Sequence, residues 1–389
     1  MAFQSQEKQA LGLITSLYLV RMLGLFMVLP ILSLYGAELS GASPFLLGLA
    51  LGIYGLTQAL FQIPFGWASD RFGRKPVLLV GFAIFVLGSL ICAISNSIEM
   101  LLVGRAIQGA GAVSAVLLAL LADLIRVENR TTSMAVVGVS IGLSFGISVV
   151  LGPVVASFYK LQGVFVFSCL LGVAAFLIAG LRIQEPETRN QSEIPSLKAV
   201  LVNGDLLRLD FSIFALHFLQ MFIWVAVPGI LVTELGFELD RHWLVYLIAV
   251  GGGFVFMLPF MRFWDKRGET QTSILIAIMV ILIAVLSMSK TDAYIYFMLG
   301  LVLFFWGFNL LEATLPSALT KIADPKSKGT ATGVYSTCQF LGVFLGGATG
   351  GWILLSYGAV EVFYFAAALS LLWLLIMAMR KLPVPSQAK

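Results

Sequence analysis

The amino-acid sequence predicts an all-α membrane protein whose twelve transmembrane helices form two pseudo-symmetric six-helix bundles. Three observations carry this reading. Of 389 residues, 59% are apolar and only 11% are charged, with a mean hydropathy of +0.99. A soluble domain carries about 25% charged residues, so a soluble enzyme, a disordered chain and a nucleic-acid binder are excluded. The apolar residues also fall in long runs of the kind that crosses a bilayer, for which about 20 residues are needed. Finally, one polar loop pattern occurs twice, once in each half of the chain.

Windows broken by charge and by Pro/Gly clusters place spans near 11–36, 45–67, 76–95, 99–122, 131–157, 163–183, 209–233, 242–264, 271–289, 293–319, 329–356 and 359–380. The first run extends past the length of a signal-peptide core and lacks a small-residue cleavage pattern, so it stays as the first helix. Cys92, Cys169 and Cys338 sit inside apolar runs as small packed side chains, not as a disulfide framework. With the N-terminus inside, 19 of the 24 Lys and Arg residues fall on the cytoplasmic side and only Lys160, Arg241 and Lys290 outside. Both termini are therefore expected in the cytoplasm. The longest polar stretch, with Glu185, Pro186, Glu187, Arg189 and Pro195, divides the chain into bundles at 1–184 and 209–389 joined by a cytoplasmic linker at 185–208.

The loop after the second span, Pro64-Phe65-Gly66-Trp67-Ala68-Ser69-Asp70-Arg71-Phe72-Gly73, has its counterpart after the eighth, Pro259-Phe260-Met261-Arg262-Phe263-Trp264-Asp265-Lys266-Arg267-Gly268. Proline, Phe, Asp, the basic residue and Gly align at one constant offset, which marks an internal repeat. Two repeated halves are the architecture of a transporter that rocks about a midplane site.

Gly66 to Lys75 resembles the signature loop of the major facilitator superfamily, G-x-x-x-D-R-x-G-R-K. Arg105-Ala106-Ile107-Gln108-Gly109 is similar to that family's R-x-x-Q-G element. Gly152-Pro153 resembles its antiporter element G-P-x-x-G-G, with Ala156 and Ser157 in place of the closing glycines. At finer grain, Arg21 to Pro30 and Gly52 to Gln58 resemble the YajR-type subgroup of drug or small-molecule efflux proteins. Only Lys381–Lys389 follow the last span, so the soluble C-terminal domain of that subgroup is expected to be missing. The resemblance implies a conformational latch made of Gly66, Asp70, Arg71, Gly73, Arg74, Asp123 and Arg130. In it Asp70 caps the start of the eleventh span while Arg71 and Arg74 pair with Asp123. The alternative is that these charges only set topology and solvate a turn.

The fifth span carries two small-residue stripes at helical spacing, one of Gly138, Gly142 and Gly146, the other of Ser140, Ser144, Ser148 and Gly152. Both are expected to pack closely on neighbours, with a kink at Pro153.

Three formal charges fall well within spans: Arg21, Arg105 and Glu312. A charge at the bilayer centre costs about 2.5–3.5 kcal/mol or more, so each is a functional candidate. Glu312 is the one carboxyl in that set, and a carboxyl in an apolar cavity can hold and release a proton near neutral pH. His217 titrates in that range without help. A static pair of Glu312 with an arginine or with Asn309 is the competing reading. Arg21 either offers charge to an anionic group or pairs with Glu312. Tyr54, Gln58, Gln108, Gln220, Trp224, Tyr335 and Gln339 complete the candidate cavity wall, or serve as bonds between helices.

The expected function is a proton-coupled antiporter expelling small amphipathic compounds from a bacterial inner membrane, acting as a monomer with small-molecule substrate, protons and lipid as its partners. An organic-anion exchanger using Arg21 and Arg105 and a non-transporting sensor are the alternatives. No nucleophile–base set, metal-ligand cluster or phosphate loop is apparent, so neither catalysis nor a cofactor or metal is expected.

Overall fold

The computed structural model describes residues 3–185, 197–267, 269–324 and 327–383. It divides into two compact units, Met1–Ser192 and Glu193–Lys389.

The first unit is built from α1 (Ser5–Phe26), α2 (Pro44–Phe72), α3 (Arg74–Ala93), α4 (Ile98–Leu124) and α5 (Val127–Arg182). Local chemistry sets the starts: the Ser43 hydroxyl accepts from the Leu46 amide ahead of α2, with Pro44 at the first helical position, and Ser97 does the same for Met100 ahead of α4. Gly73 joins α2 to α3 at φ 109°, ψ 153°, a conformation that a side chain would forbid. At 1.5 Å per residue, the 56 residues of α5 would run about 84 Å, far beyond a hydrocarbon core of about 30 Å. Lys160 breaks the run at φ 55°, ψ −162°, so α5 supplies two crossings where two spans are expected. Together with the other ten long apolar helices this makes twelve.

The second unit holds α6 (Gly204–Thr233), α7 (His242–Arg267), α8 (Thr270–Met288), α9 (Tyr294–Ile322), α10 (Lys328–Ser356) and α11 (Ala359–Ala378). α6 begins at Gly204, inside the segment expected as linker, capped by Asn203. The leading helix of each unit is broken just ahead of a proline. α1 ends at Phe26 before Pro30, and α6 loses helical pairing at Val225–Ala226 before Pro228.

Small residues let helices meet backbone to backbone. Ser144 and Ser148 of α5 donate to the carbonyls of Leu19 and Leu23 at 3.3 and 3.1 Å. A Cβ on Gly152 would stand 2.3 Å from the Met27 carbonyl oxygen. The serine stripe thus lies on α1. The other stripe departs from expectation: a Cβ on Gly138 or Gly142 would meet nothing within 4 Å. In the second unit Gly342, Gly346 and Gly350 of α10 do for α6 what Gly152 does for α1. Cβ atoms there would fall 2.3, 2.3 and 2.7 Å from the carbonyl oxygens of Phe214, Phe218 and Phe222. Large apolar side chains such as Leu60, Val139, Leu181 and Met379 stay exposed on the outer faces, as contact with lipid tails permits.

Candidate functional site

In the first unit the polar candidates form one network around Tyr54. Arg21 is 1% exposed and donates to the Ser114 and Tyr54 hydroxyls and to Gln58 Oε1 at 2.6, 2.7 and 2.6 Å. Gln58 passes the chain on to Gln62 at 3.0 Å. Arg105 stacks its guanidinium 4.9 Å above the Tyr54 ring, donates to the Ala50 carbonyl and binds Gln108 Oε1 at 2.6 Å. Gln108 in turn reaches Ser89 at 2.8 Å. Both arginines are therefore buried against neutral acceptors of their own unit.

The signature loop forms a second cluster. Arg74 bonds Asp123 at 2.8 Å and also contacts Asp70 and Ser69. The side chains of Arg74 and Asp123 are 5% and 4% exposed, whereas that of Asp70 is 67% exposed. Arg71 lies over the rings of Trp67 and Phe72 at 5.5 and 5.6 Å. Gly66 sits opposite Ala115; the side chain of Arg130 lies outside the described residues, as do Gly268 and the Asp265 side chain of the repeated loop. Glu185, read from sequence only as part of the polar linker, accepts from the amides of Arg74 and Lys75 at 3.1 and 2.6 Å and so caps α3. Glu7, buried in the first turn of α1, binds the Arg126 guanidinium and amide and the Asn129 side chain at the start of α5. Pro153 is carried inside α5 next to Gly152.

The second unit gathers the titratable candidates. α6 points His217 at α9 and α10, where Glu312 Oε1 lies 3.3 Å and Gln339 Nε2 2.8 Å from His217 Nε2. His217 Nδ1 faces the Ile213 carbonyl at 3.2 Å. A carbonyl only accepts, so Nδ1 carries the hydrogen and Nε2 presents a lone pair. That lone pair accepts from the Gln339 amide. A second acceptor, the Glu312 carboxylate, then faces the same nitrogen, and a single proton placed between the two relieves the repulsion. Tyr335 is buried at 5% exposure. Among the described residues, Gln220 Oε1, Asn309 Nδ2 and the Tyr335 hydroxyl have no hydrogen-bond partner. Trp224 is packed against Tyr246 and Phe305 at 5.1 and 6.2 Å.

Three intramembrane charges do not complete the buried set. Asp210 of α6, read from sequence as a span end, is 2% exposed, and neither carboxylate oxygen has a partner among the described residues. Apolar windows place a span's edge at its first charge, so a carboxyl a turn or two inside the helix is taken for the edge itself. No cluster of three or more His, Cys, Asp or Glu able to hold a metal occurs among the described residues.

Twelve apolar crossings in repeated halves, each with a broken leading helix and buried polar residues, define a multi-pass secondary transporter. The chain belongs to the Major Facilitator Superfamily, whose pattern matches residues 14–347 and 209–389. It is 41% identical over 383 residues to the inner membrane transport protein YajR of Escherichia coli K12, covering 97% of this chain and 84% of that one. It is 24% identical over 369 residues to the quinolone resistance protein NorA of Staphylococcus aureus MRSA252, covering 87% and 88%. Among solved structures, a D-xylose–proton symporter superposes with a TM-score of 0.79 at 15% identity over 98% and 99% of the two chains. That likeness shows the fold. The family moves small molecules and is not enzymatic.

Proposed function

We propose that the protein is a proton-coupled exporter of small amphipathic compounds in an inner membrane, with Glu312 and His217 as the proton-binding pair. The observation that carries this reading is the convergence of Glu312, His217 and Gln339 on one nitrogen. When the proton sits on Glu312 or is absent, Gln339 turns its amide hydrogen to Nε2. When Nε2 is protonated, Gln339 must turn its oxygen there. Protonation thereby changes a bond between α6 and α10, two helices in close glycine contact, and couples charge to helix packing. The quinolone resistance associated with NorA and the inner-membrane transport role of YajR agree with export.

An anion-exchanging role for Arg21 and Arg105 is less well supported, because both guanidiniums are occupied by neutral acceptors within their own unit.

The test uses purified protein in proteoliposomes with an imposed pH gradient and ethidium as the amphipathic probe. Wild-type protein should move ethidium against its gradient, and Glu312→Gln should abolish that movement at an unchanged melting temperature. Gradient-driven movement that persists in Glu312→Gln refutes the proton role, and a wild type that ignores ethidium refutes this substrate class.

A further inference from the structure

Three buried polar atoms of the second unit take part in nothing described so far: Gln220 Oε1 and Trp224 Nε1 of α6, and Asn309 Nδ2 of α9. None has a hydrogen-bond partner among the described residues, although Gln220, Trp224 and Asn309 are only 1%, 2% and 6% exposed. Buried polar atoms are normally bonded, and the buried glutamines of the first unit obey that rule. Gln58 uses both ends of its amide, with Arg21 and Gln62, and Gln108 uses both of its own, with Arg105 and Ser89. Orphans on the α6–α9 seam are therefore a departure within this same molecule.

Two contacts fix how α6 and α9 are aligned. His217 meets Glu312 at 3.3 Å, and Trp224 meets Phe305 with ring centroids 6.2 Å apart. Trp224 lies seven residues after His217, and Phe305 seven before Glu312. Both stretches are helical, so the two helices run antiparallel in a single register. Gln220, three residues after His217, and Asn309, three before Glu312, therefore stand level with each other. That level is about 4.5 Å along the axis from the His217–Glu312 contact. Positions three and seven apart share a helix face, so each amide lies on the side of its helix that makes these contacts. Aromatic rings flank the level at both ends: Phe308 is 5.7 Å from the His217 ring, and Trp224 and Phe305 meet on the other side. The Glu312 side chain is 26% exposed, which gives the seam an accessible edge.

A primary amide carries N–H donors on one side and a C=O acceptor on the other. Here one amide leaves an acceptor unused and the amide level with it leaves a donor unused. A ligand group that satisfies both carries an N–H directly beside a C=O, as the amide of a lactam ring does. The flanking aromatic side chains suit a flat ring, and a neutral one adds no charge to a buried seam.

We propose that Gln220 and Asn309 form a recognition edge for neutral aromatic lactams, the lactam N–H donating to Gln220 Oε1 and the lactam C=O accepting from Asn309 Nδ2. As a statement about substrate it rests on the export reading, within which it names a class of compound moved. Trp224 Nε1, one turn further along the same face of α6, offers a donor to a second polar substituent of the ligand.

The probe is phenanthridinone, a flat, neutral, fluorescent lactam, compared with N-methylphenanthridinone, the same ring system without the N–H. Binding of each to the purified full-length protein is followed by fluorescence titration. The wild type should bind phenanthridinone roughly tenfold more tightly than the N-methyl compound. Gln220→Met and Asn309→Leu, which keep the side chains close to their size, should each remove that preference at an unchanged melting temperature. Side chains that serve packing alone would leave the ratio of the two affinities as it was. Where one variant fails to fold the other carries the test, and the comparison of the two compounds on the wild type needs neither. Equal wild-type affinities, no binding of phenanthridinone, or a preference retained in a folded variant overturns the proposal. A wild type that shows the preference, yet moves neither phenanthridinone nor ethidium under an imposed pH gradient, refutes the export reading instead.

Discussion

Arg74 shows how one residue of a loop motif is fixed by its neighbours. Its guanidinium is buried between Asp123 and Asp70, its amide is capped by Glu185, and it follows the positive-φ Gly73 directly. Removing the cation leaves Asp123 buried and unpaired, a loss that typically costs about 3–5 kcal/mol. Arg74→Ala should therefore lower the melting temperature sharply, while Asp70→Asn, at the exposed end of the same cluster, should change it little. Equal effects of the two would show that burial does not govern the cluster. The residues of this motif could be read from sequence because glycine, aspartate and arginine at fixed spacing have few other uses. Glu185 and Glu7 could not, since each finds its partner across the fold: Glu185 meets the start of α3, and Glu7 the start of α5. Asp210 escaped for a different reason, that charge itself was used to locate span ends.

Helices in this protein pack through backbone contact where glycine allows it, and composition alone does not say which glycines are used. Gly346 and Gly138 both lie in small-residue stripes. Only the first faces a carbonyl, at 2.3 Å from an added Cβ. Gly346→Ala should force α10 away from α6 at a cost of about 1–3 kcal/mol, seen as a lowered melting temperature, whereas Gly138→Ala should lower it not at all. A matching drop in both would mean that the Gly138 face is packed after all. The number and order of helices were readable because a span must be apolar along its length. Which side of a span touches protein depends on the partner helix, and periodicity identified the serine stripe of α5 but not the glycine stripe of α10. Similarly, the one-turn relation of Tyr335 to Gln339 was visible, while the contact of Gln339 with His217 required the pairing of α10 with α6.

For the molecule as a whole, the asymmetric distribution of Lys and Arg predicts an orientation that can be measured directly. In a cysteine-free background, Lys290→Cys should react with a membrane-impermeant thiol reagent added outside intact cells, and a fluorescent protein fused after Lys389 should fluoresce in the cytoplasm. The reverse pattern would invert the expected topology. The chain divides into two units of similar size. Sequence could not show where unpartnered carboxyls gather, because the same polar residue types occur in both halves; geometry shows that Arg21, Gln58, Arg105 and Gln108 of the first unit are bonded to neighbours there, while among the described residues Asp210 and Glu312 Oε1 of the second unit lack hydrogen-bond partners.

The Glu7 clasp bears on how the chain is made. Glu7 leaves the ribosome 119 residues before Arg126, so α1 enters the bilayer with its carboxylate still in water and remains untied until four crossings have been synthesised. Closing the first unit is then a late event in biogenesis, triggered when the start of α5 emerges. An N-terminal truncation or bulky tag at this end would act on assembly of the nascent chain, even where it leaves Glu312 and His217 untouched.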